Sequence, residues 1–390
     1  MDFYEESLIQ HRHYHGKIEV QSKVAIETPH DLSVAYTPGV AEPCKKIAED
    51  PETAYTYTCK SNTIAVVSNG TAVLGLGNIG ALASLPVMEG KSILFKRFGG
   101  VNAFPVCIDC KTPDEVIATV KAIAPSFGGI NLEDIKSPDC FEIERVLERD
   151  LDIPVFHDDQ HGTAIVVTAA LINALKVVGK NLSDVRIVLN GPGAAGFAII
   201  KMLLYAGARN IIACDRRGII IEGREGIVNH KIELSQITNP DGISGDLADA
   251  LRGADVFIGV SSAGILTQDM VRTMAQDPIV FAMANPVPEI SYDEGIAAGA
   301  AVMGTGRSDN PNQINNLLCF PGIFRGALSV RARDINYDMK LAAAHAIASL
   351  ISDDERRPDY IIPSALEPRV ADAVSAAVAQ KAKETGVARI

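Results

Sequence analysis

The chain has 390 residues, 47% hydrophobic and 22% charged, with a formal net charge of −12. That length accommodates two or more domains with ordinary globular cores, and 32 Gly with 20 Pro fall short of a fibrous or disordered composition. The acidic balance, 36 Lys and Arg against 48 Asp and Glu, argues against nucleic acid or an anionic membrane as the main partner. No run approaches about 18 uncharged apolar residues, so a membrane span is not expected. The opening MDFYEESLIQHRHYHGK lacks the apolar core of a signal peptide. Seven scattered cysteines suit reduced thiols in a cytoplasmic compartment.

From about residue 60 onward short apolar runs alternate with helical patterns. AVVSNG, SILFKRF, PVCID and GGINLED read as strands, and PDEVIATVKAIAP and DCFEIERVLERD as helices. TAIVVTAALINALKVVGK (163–180) reads as a helix linking two domains, with Thr163 its N-cap. Then VRIVLN, NIIACD, DVFIGVS and IVFAMANP read as strands, separated by the helical AAGFAIIKMLLYAGA, DLADALRG and TQDMVRTMA. From about 323 to 385 the periodicity is helical. Such alternation implies parallel sheets, hence an α/β protein. The expected division is residues 1–160 with about 316–390 as one domain, and 161–315 as a doubly wound, Rossmann-like dinucleotide domain.

The pattern G-x-G-x-x-G occurs twice. The copy Gly191-Pro-Gly193-Ala194-Ala195-Gly196 follows a strand and opens a helix, and the next strand ends in Asp215. A pyrophosphate would sit at that helix N-terminus and Asp215 would face the ribose diol. Arg216 and Arg217 follow, and a guanidinium there could instead hold a 2′-phosphate; the acid at the strand end weighs toward NAD, with measurable use of NADP. The copy at Gly75, Gly77 and Gly80 lacks this frame. Pro86 would interrupt a helix, and the next apolar run meets Lys96-Arg97 rather than an acid. It is expected to form a tight loop lining a substrate pocket.

Two acidic pairs, Glu133-Asp134 and Asp158-Asp159, flank one helical segment. Mg²⁺ and Mn²⁺ prefer such oxygen donors, although loop acids are as often merely solvated. Glu133 and Asp134 could share an ion only where their strand ends, since neighbours on a strand face opposite ways. Asp158-Asp159 are expected in a loop just before a helix. Cys107-x-x-Cys110 stands without a second pair, His157 and His161 lack the Glu of H-E-x-x-H, and His11, His13 and His15 read as a solvated segment.

The segments SVAYTPGVAEPC (33–44), VLGLGNIGALASLPVMEGK (73–91), NLEDI (131–135), HDDQHGTA (157–164), NGPGAAG (190–196), FAMANPVPEI (281–290) and SDNPNQINNLLCFPGIFRGAL (308–328), in this order and spacing, resemble the malic enzymes of the compact bacterial type. The resemblance implies oxidative decarboxylation of L-malate to pyruvate and CO2 with NAD or NADP and Mg²⁺ or Mn²⁺, in a homodimer. It implies Tyr36 as general acid, Lys91 as general base with a depressed pKa, and Glu133, Asp134 and Asp159 as metal ligands. It also implies Asp158 as a catalytic partner beside them, and Asn285 and Asn315 as contacts to substrate or nicotinamide ribose. Larger relatives carry an arginine where Thr71-Ala72-Val73 stands here, which leaves the group holding the distal malate carboxylate open. The acyltransferase-like extension of some bacterial relatives is not expected. Two competing readings are a metal-independent 2-hydroxy-acid dehydrogenase, for which no His shows a convincing partner, and a non-catalytic nucleotide-sensing module.

Overall fold

The computed structural model describes residues 2–227 and 230–390. Two parallel sheets organise it. The first contains β1 (Thr63–Ser68), β2 (Asn102–Cys107), β3 (Gly129–Leu132) and β4 (Val155–His157) in the order β2-β1-β3-β4. The second contains β5 (Arg186–Asn190), β6 (Asn210–Asp215), β7 (Gly218–Ile219), β8 (Val256–Gly259), β9 (Ile279–Ala282) and β10 (Val302–Thr305), in the order β10-β9-β8-β5-β6-β7. Every pairing is parallel except that of β6 with β7. β1, β3, β4, β8, β9 and β10 are buried along their length, as strands covered by helices on both faces must be.

Helix Asp158–Val178 runs from the end of β4 toward β5 and is the longest helix described. Its 21 residues are apolar enough to cross a membrane (mean hydropathy 1.6), but Ala164 to Leu171 are buried within the protein. It packs against helix Ala194–Tyr205 of the second sheet and helix Tyr337–Ser349 of the C-terminal region. One core cluster therefore joins Ile64 and Val66 of β1 to Ile187 and Leu189 of β5 and to Ile323 and Phe324 of the C-terminal helices.

Four local expectations differ from the structure. SILFKRF is not a strand: helix Ala81–Leu94 and a following wide turn, Phe95–Gly99, take it up. Pro86 is the sixth residue of that helix, where its missing N–H forgoes one bond, to the Leu82 carbonyl. Thr163 is not an N-cap, because the helix starts five residues earlier and Asp158 and Asp159 form its first turn rather than a preceding loop. Carboxylates there meet the positive end of the helix dipole.

Residues 2–58 form an arm of short helices, Phe3–Tyr14, Pro29–Ala35, Ala41–Glu49 and Ala54–Tyr57, none with a buried residue. It touches the body through Lys17, whose backbone N–H donates to Glu89 Oε2 (2.9 Å) and whose Nζ donates to the Pro86 carbonyl (2.9 Å). Phe3, Tyr4, Leu8, Val20, Val34 and Tyr36 are all exposed.

Candidate active site

The carboxyl ends of the parallel strands open into a cleft of about 970 Å³, where ligands of open α/β sheets characteristically bind. β3 ends at Leu132, and Glu133 N–H still donates to Val67 O (2.9 Å). Asp134 then adopts a left-handed φ of +53°, which turns its side chain out of the strand alternation. This strand end lets both acids line the cleft with Asp159. Asp159, Thr163 and Val166 follow one another along one helix face and all line it.

Lys91 reaches in from helix Ala81–Leu94. Its Nζ donates to Glu133 Oε1 (2.9 Å) and to Asp158 Oδ2, and lies 3.9 Å from the centre of the Phe320 ring. Asp158 is fully buried and also accepts from Asn316 Nδ2 (2.6 Å). Asn131 Nδ2 holds the other oxygen of Glu133 (2.8 Å), and the Asp134 backbone N–H holds Asp159 Oδ2 (2.7 Å). One buried cation thus faces four carboxylates. Burial opposes the charge of Lys91, but Asp158 and Glu133 hold its pKa above the ordinary lysine range, so the depressed value the resemblance implies requires a cation on those carboxylates. Burial, then the charges of Asp159 and Glu133, push Asp134 up to about 8, and its Oδ2 has no hydrogen-bond partner among the described residues. Excess negative charge, an orphaned carboxylate oxygen and an all-oxygen donor set fit a hard divalent cation at Glu133, Asp134 and Asp159.

The first glycine motif forms a tight loop, with Val73 bridged to Gly77 and with Ala72 and Leu74 lining the cleft. The second has the geometry of a phosphate cradle. Gly191 has φ +102°, and a Cβ there would lie 2.6 Å from Val260 O. A Cβ on Gly196 would lie 2.1 Å from Gly191 O, whereas one on Gly193 would meet nothing within 4 Å. The first and third glycines allow the turn and the packing, and the second leaves the approach open. Ala194 and Ala195, at the start of the 12-residue helix, line the same cleft with Asn285 and Asn315. Asn315 Oδ1 accepts from Leu317 N–H (2.8 Å), while its neighbour Asn316 is the one that reaches Asp158.

Two expected site residues stand apart. Tyr36 is 68% exposed on the arm and does not line the cleft, although Ser7, His11 and Lys17 of the same arm do. Asp215 lies at the end of β6 as expected, but it is not open: Arg224 Nη2 and Lys231 Nζ each donate to its Oδ2 at 2.7 Å.

Sequence reasoning missed several supporting groups. Glu144 Oε1 accepts the His157 backbone N–H (2.8 Å), and Oε2 accepts from Gln160 (2.9 Å) and pairs with His161 Nε2 (3.1 Å). His161 therefore does have an acidic partner, but on the side away from the cleft, and it does not line that cleft. The signal was an acid on the buried face of its helix, shared with Cys140, Ile143 and Leu147. Glu144, Glu148 and His161 bring donor atoms within 4.8 Å of one another, and the charge of buried Lys340 acts on both acids. Glu289, also fully buried, accepts from Ser261 N–H (2.8 Å) and Ala284 N–H (3.0 Å), which ties together the ends of β8 and β9. The Cys107 and Cys110 thiols are unbridged and contact Ser84 and Thr119.

Comparison with known proteins identifies the family. Residues 15–148 match the family model described as malic enzyme, N-terminal domain, and residues 160–384 match malic enzyme, NAD binding domain. The bifunctional malic/malolactic enzyme of Bacillus subtilis (strain 168) is 58% identical over 391 residues, covering 100% of this chain and 95% of that protein. The NAD-dependent malic enzyme of Geobacillus stearothermophilus is 60% identical over 377 residues, covering 97% and 79%. The crystal structure of the NAD-dependent malic enzyme from Thermotoga maritima superposes with a TM-score of 0.93 at 49% identity, covering 97% of this chain and 99% of that one.

Proposed function

Because the chain belongs to the malic enzyme family, we propose that it oxidises L-malate to pyruvate and CO2 while reducing NAD or NADP. The observation that carries this reading is Lys91 joined to Glu133 and Asp158 beside an uncompensated carboxylate group, in one cleft with the glycine cradle. Mg²⁺ or Mn²⁺ at Glu133, Asp134 and Asp159 supplies, when bound, Lewis acidity toward the C2 hydroxyl and the adjacent carboxylate. Lys91 Nζ is the group positioned to take the hydroxyl proton once it is neutral, and a divalent cation on Glu133, Asp134 and Asp159 would offset the carboxylate charge that otherwise holds its proton. Asp158 and Glu133 orient that nitrogen, and Asn316 fixes Asp158. Asn285 and Asn315 bind substrate or the nicotinamide ribose. Gly191, Gly193, Ala194, Ala195 and Gly196 hold the pyrophosphate at the helix N-terminus. After CO2 leaves, Tyr36 returns a proton to C3 of the enol.

The position of Tyr36 adds a structural requirement. Its arm exposes several large apolar side chains, Phe3, Tyr4, Leu8, Val20 and Val34 among them. In our reading the arm packs against a second copy in a homodimer and delivers Tyr36 to the partner's cleft. In the same reading residues 1–160 with about 316–390 carry substrate and metal, and 161–315 carry the nucleotide. Its partners are the small molecules malate and the nucleotide, with neither nucleic acid nor membrane as a target, and its working compartment is the cytoplasm.

The test is malate-dependent formation of reduced nicotinamide in EDTA and again after addition of Mn²⁺. Turnover only with metal is expected. A metal-independent 2-hydroxy-acid dehydrogenase would turn over equally in EDTA, and a nucleotide-sensing module would turn over in neither.

A further inference from the structure

We propose that Arg224 and Lys231 convert the ribose end of the nucleotide site into a receptor for a 2′-phosphate, so that NADP is used about as readily as NAD. This rests on the reading of the glycine cradle as a dinucleotide site. An acid at the end of the second strand favours NAD only if its oxygens are free to accept from the ribose diol. At Asp215 three of the roughly four acceptor positions of the carboxylate are already taken. Oδ2 accepts from Arg224 Nη2 and Lys231 Nζ, both at 2.7 Å, and Oδ1 accepts from Arg217 N–H at 2.9 Å. The Asp215 side chain is left only 8% exposed.

The cations are set firmly. Arg224 Nη1 donates to Gly218 O (3.0 Å) and Ile219 O (2.9 Å), which anchors the guanidinium to the turn beyond β6. Lys231 has no such backbone anchor among the described residues and remains 29% exposed. Burial alone would raise the carboxyl pKa, but hydrogen bonds from Arg224 and Lys231 bring it down to about 2, so the carboxylate stays ionised while its charge is compensated. The exposed Arg216 and Arg217 add two further cations to the same turn, against the exposed Glu222 and Glu225 of the following loop. The repulsion that an isolated Asp215 would exert on a 2′-phosphate is cancelled. A planar guanidinium and a mobile ammonium are the two groups proteins use for phosphate. The two cations lie 9 and 16 residues beyond Asp215 in the chain, outside the Arg216-Arg217 pair weighed against it in the sequence.

The experiment compares kcat/KM for NAD and NADP in the wild type, in Lys231→Gln and in Asp215→Asn. Alongside, calorimetry measures 2′,5′-ADP against 5′-ADP, a readout that needs no turnover. Lys231 is chosen because its polar contact among the described residues is the side-chain bond to Asp215, so its loss should leave the fold intact. The wild type should bind 2′,5′-ADP at least as tightly as 5′-ADP. Lys231→Gln should lower the NADP-to-NAD ratio about tenfold, as expected for one lost bond to a charged group. Asp215→Asn should raise the ratio by a similar factor. A wild type that binds 2′,5′-ADP more than tenfold weaker than 5′-ADP, or a ratio unmoved by Lys231→Gln, overturns the proposal. Failure of the malate reading looks different: no turnover with either nucleotide, while the calorimetric discrimination persists.

Discussion

Lys91 Nζ donates to Glu133 Oε1 at 2.9 Å, and the two side chains, each only 8% exposed, join helix Ala81–Leu94 to the end of β3. Removing the lysine leaves Glu133 and Asp158 buried without their cation. Breaking a buried pair from one side typically costs about 3–5 kcal/mol. Lys91→Ala should therefore lower the melting temperature in EDTA, and Mn²⁺ should restore more stability in the variant than in the wild type. Turnover should fall by about 10²–10⁴. Calorimetry with and without Mn²⁺ reads the first effect, and equal metal responses in the two proteins would contradict it.

Asp134→Asn and Asp159→Ala each remove an expected metal ligand. Mn²⁺ affinity measured by calorimetry should drop at least about 100-fold, more than the 10–100-fold typical of losing a supporting group. Nucleotide binding at the Gly191 cradle should stay within about twofold. A variant that keeps wild-type Mn²⁺ affinity removes that residue from the metal site.

Glu144 sets a pH dependence of stability. Burial would raise its pKa, but His161, by charge and hydrogen bond, and Lys340 bring it down to about 2. A carboxyl whose folded pKa lies below its unfolded value of about 4.3 contributes stability above that value and loses it as pH falls toward 2. Glu144→Gln should cost about 1–3 kcal/mol at pH 7, with the difference from wild type shrinking steadily between pH 4.5 and 2.5. Denaturant midpoints across that range decide it; a gap that stays constant with pH rules out the charge as the cause. Mn²⁺ affinity should also fall, by about tenfold, because Glu144 holds the His157 N–H just ahead of Asp158 and Asp159.

Much of this site was legible in the sequence, and the misses share a cause. The strand–helix alternation, the glycine cradle and the end of β3 at Glu133-Asp134 depend on local pattern: period, turn residues and strand length. Lys91 and Asp158 are legible only through motif resemblance, and the partner that sets the charge of Lys91, Glu133, lies 42 residues away in the chain. The SILFKRF run was misread because continuous apolar residues do not distinguish a buried helix from a buried strand. The pairings of Glu144 with His161 and of Asp215 with Arg224 and Lys231 are tertiary or cross a loop, and no periodicity records them. The exposure of Tyr36 was likewise invisible, since sequence alone does not say against which body an arm packs.

The arm gives a test of shared sites. Tyr36→Phe and Lys91→Ala should each lose about 10²–10⁴-fold in turnover. If Tyr36 serves the partner's cleft, unfolding and refolding the two inactive variants together creates mixed dimers holding one intact site. Activity should return to about a quarter of wild type in an equimolar mixture, since half the dimers are mixed and each has one working site of two. Sedimentation should give a dimer for all three proteins. No recovery from dimers shown to exchange subunits would place Tyr36 in its own chain's site.

The central claim, that this cleft couples oxidation of malate to loss of its distal carboxylate, is tested most directly by following L-malate labelled with ¹³C at C4. Carbon NMR with Mn²⁺ and NAD should show the label leaving as CO2 and bicarbonate, with one pyruvate formed per reduced nicotinamide and none of either in EDTA. Accumulation of labelled oxaloacetate with no labelled bicarbonate, or turnover that persists in EDTA, would contradict the account.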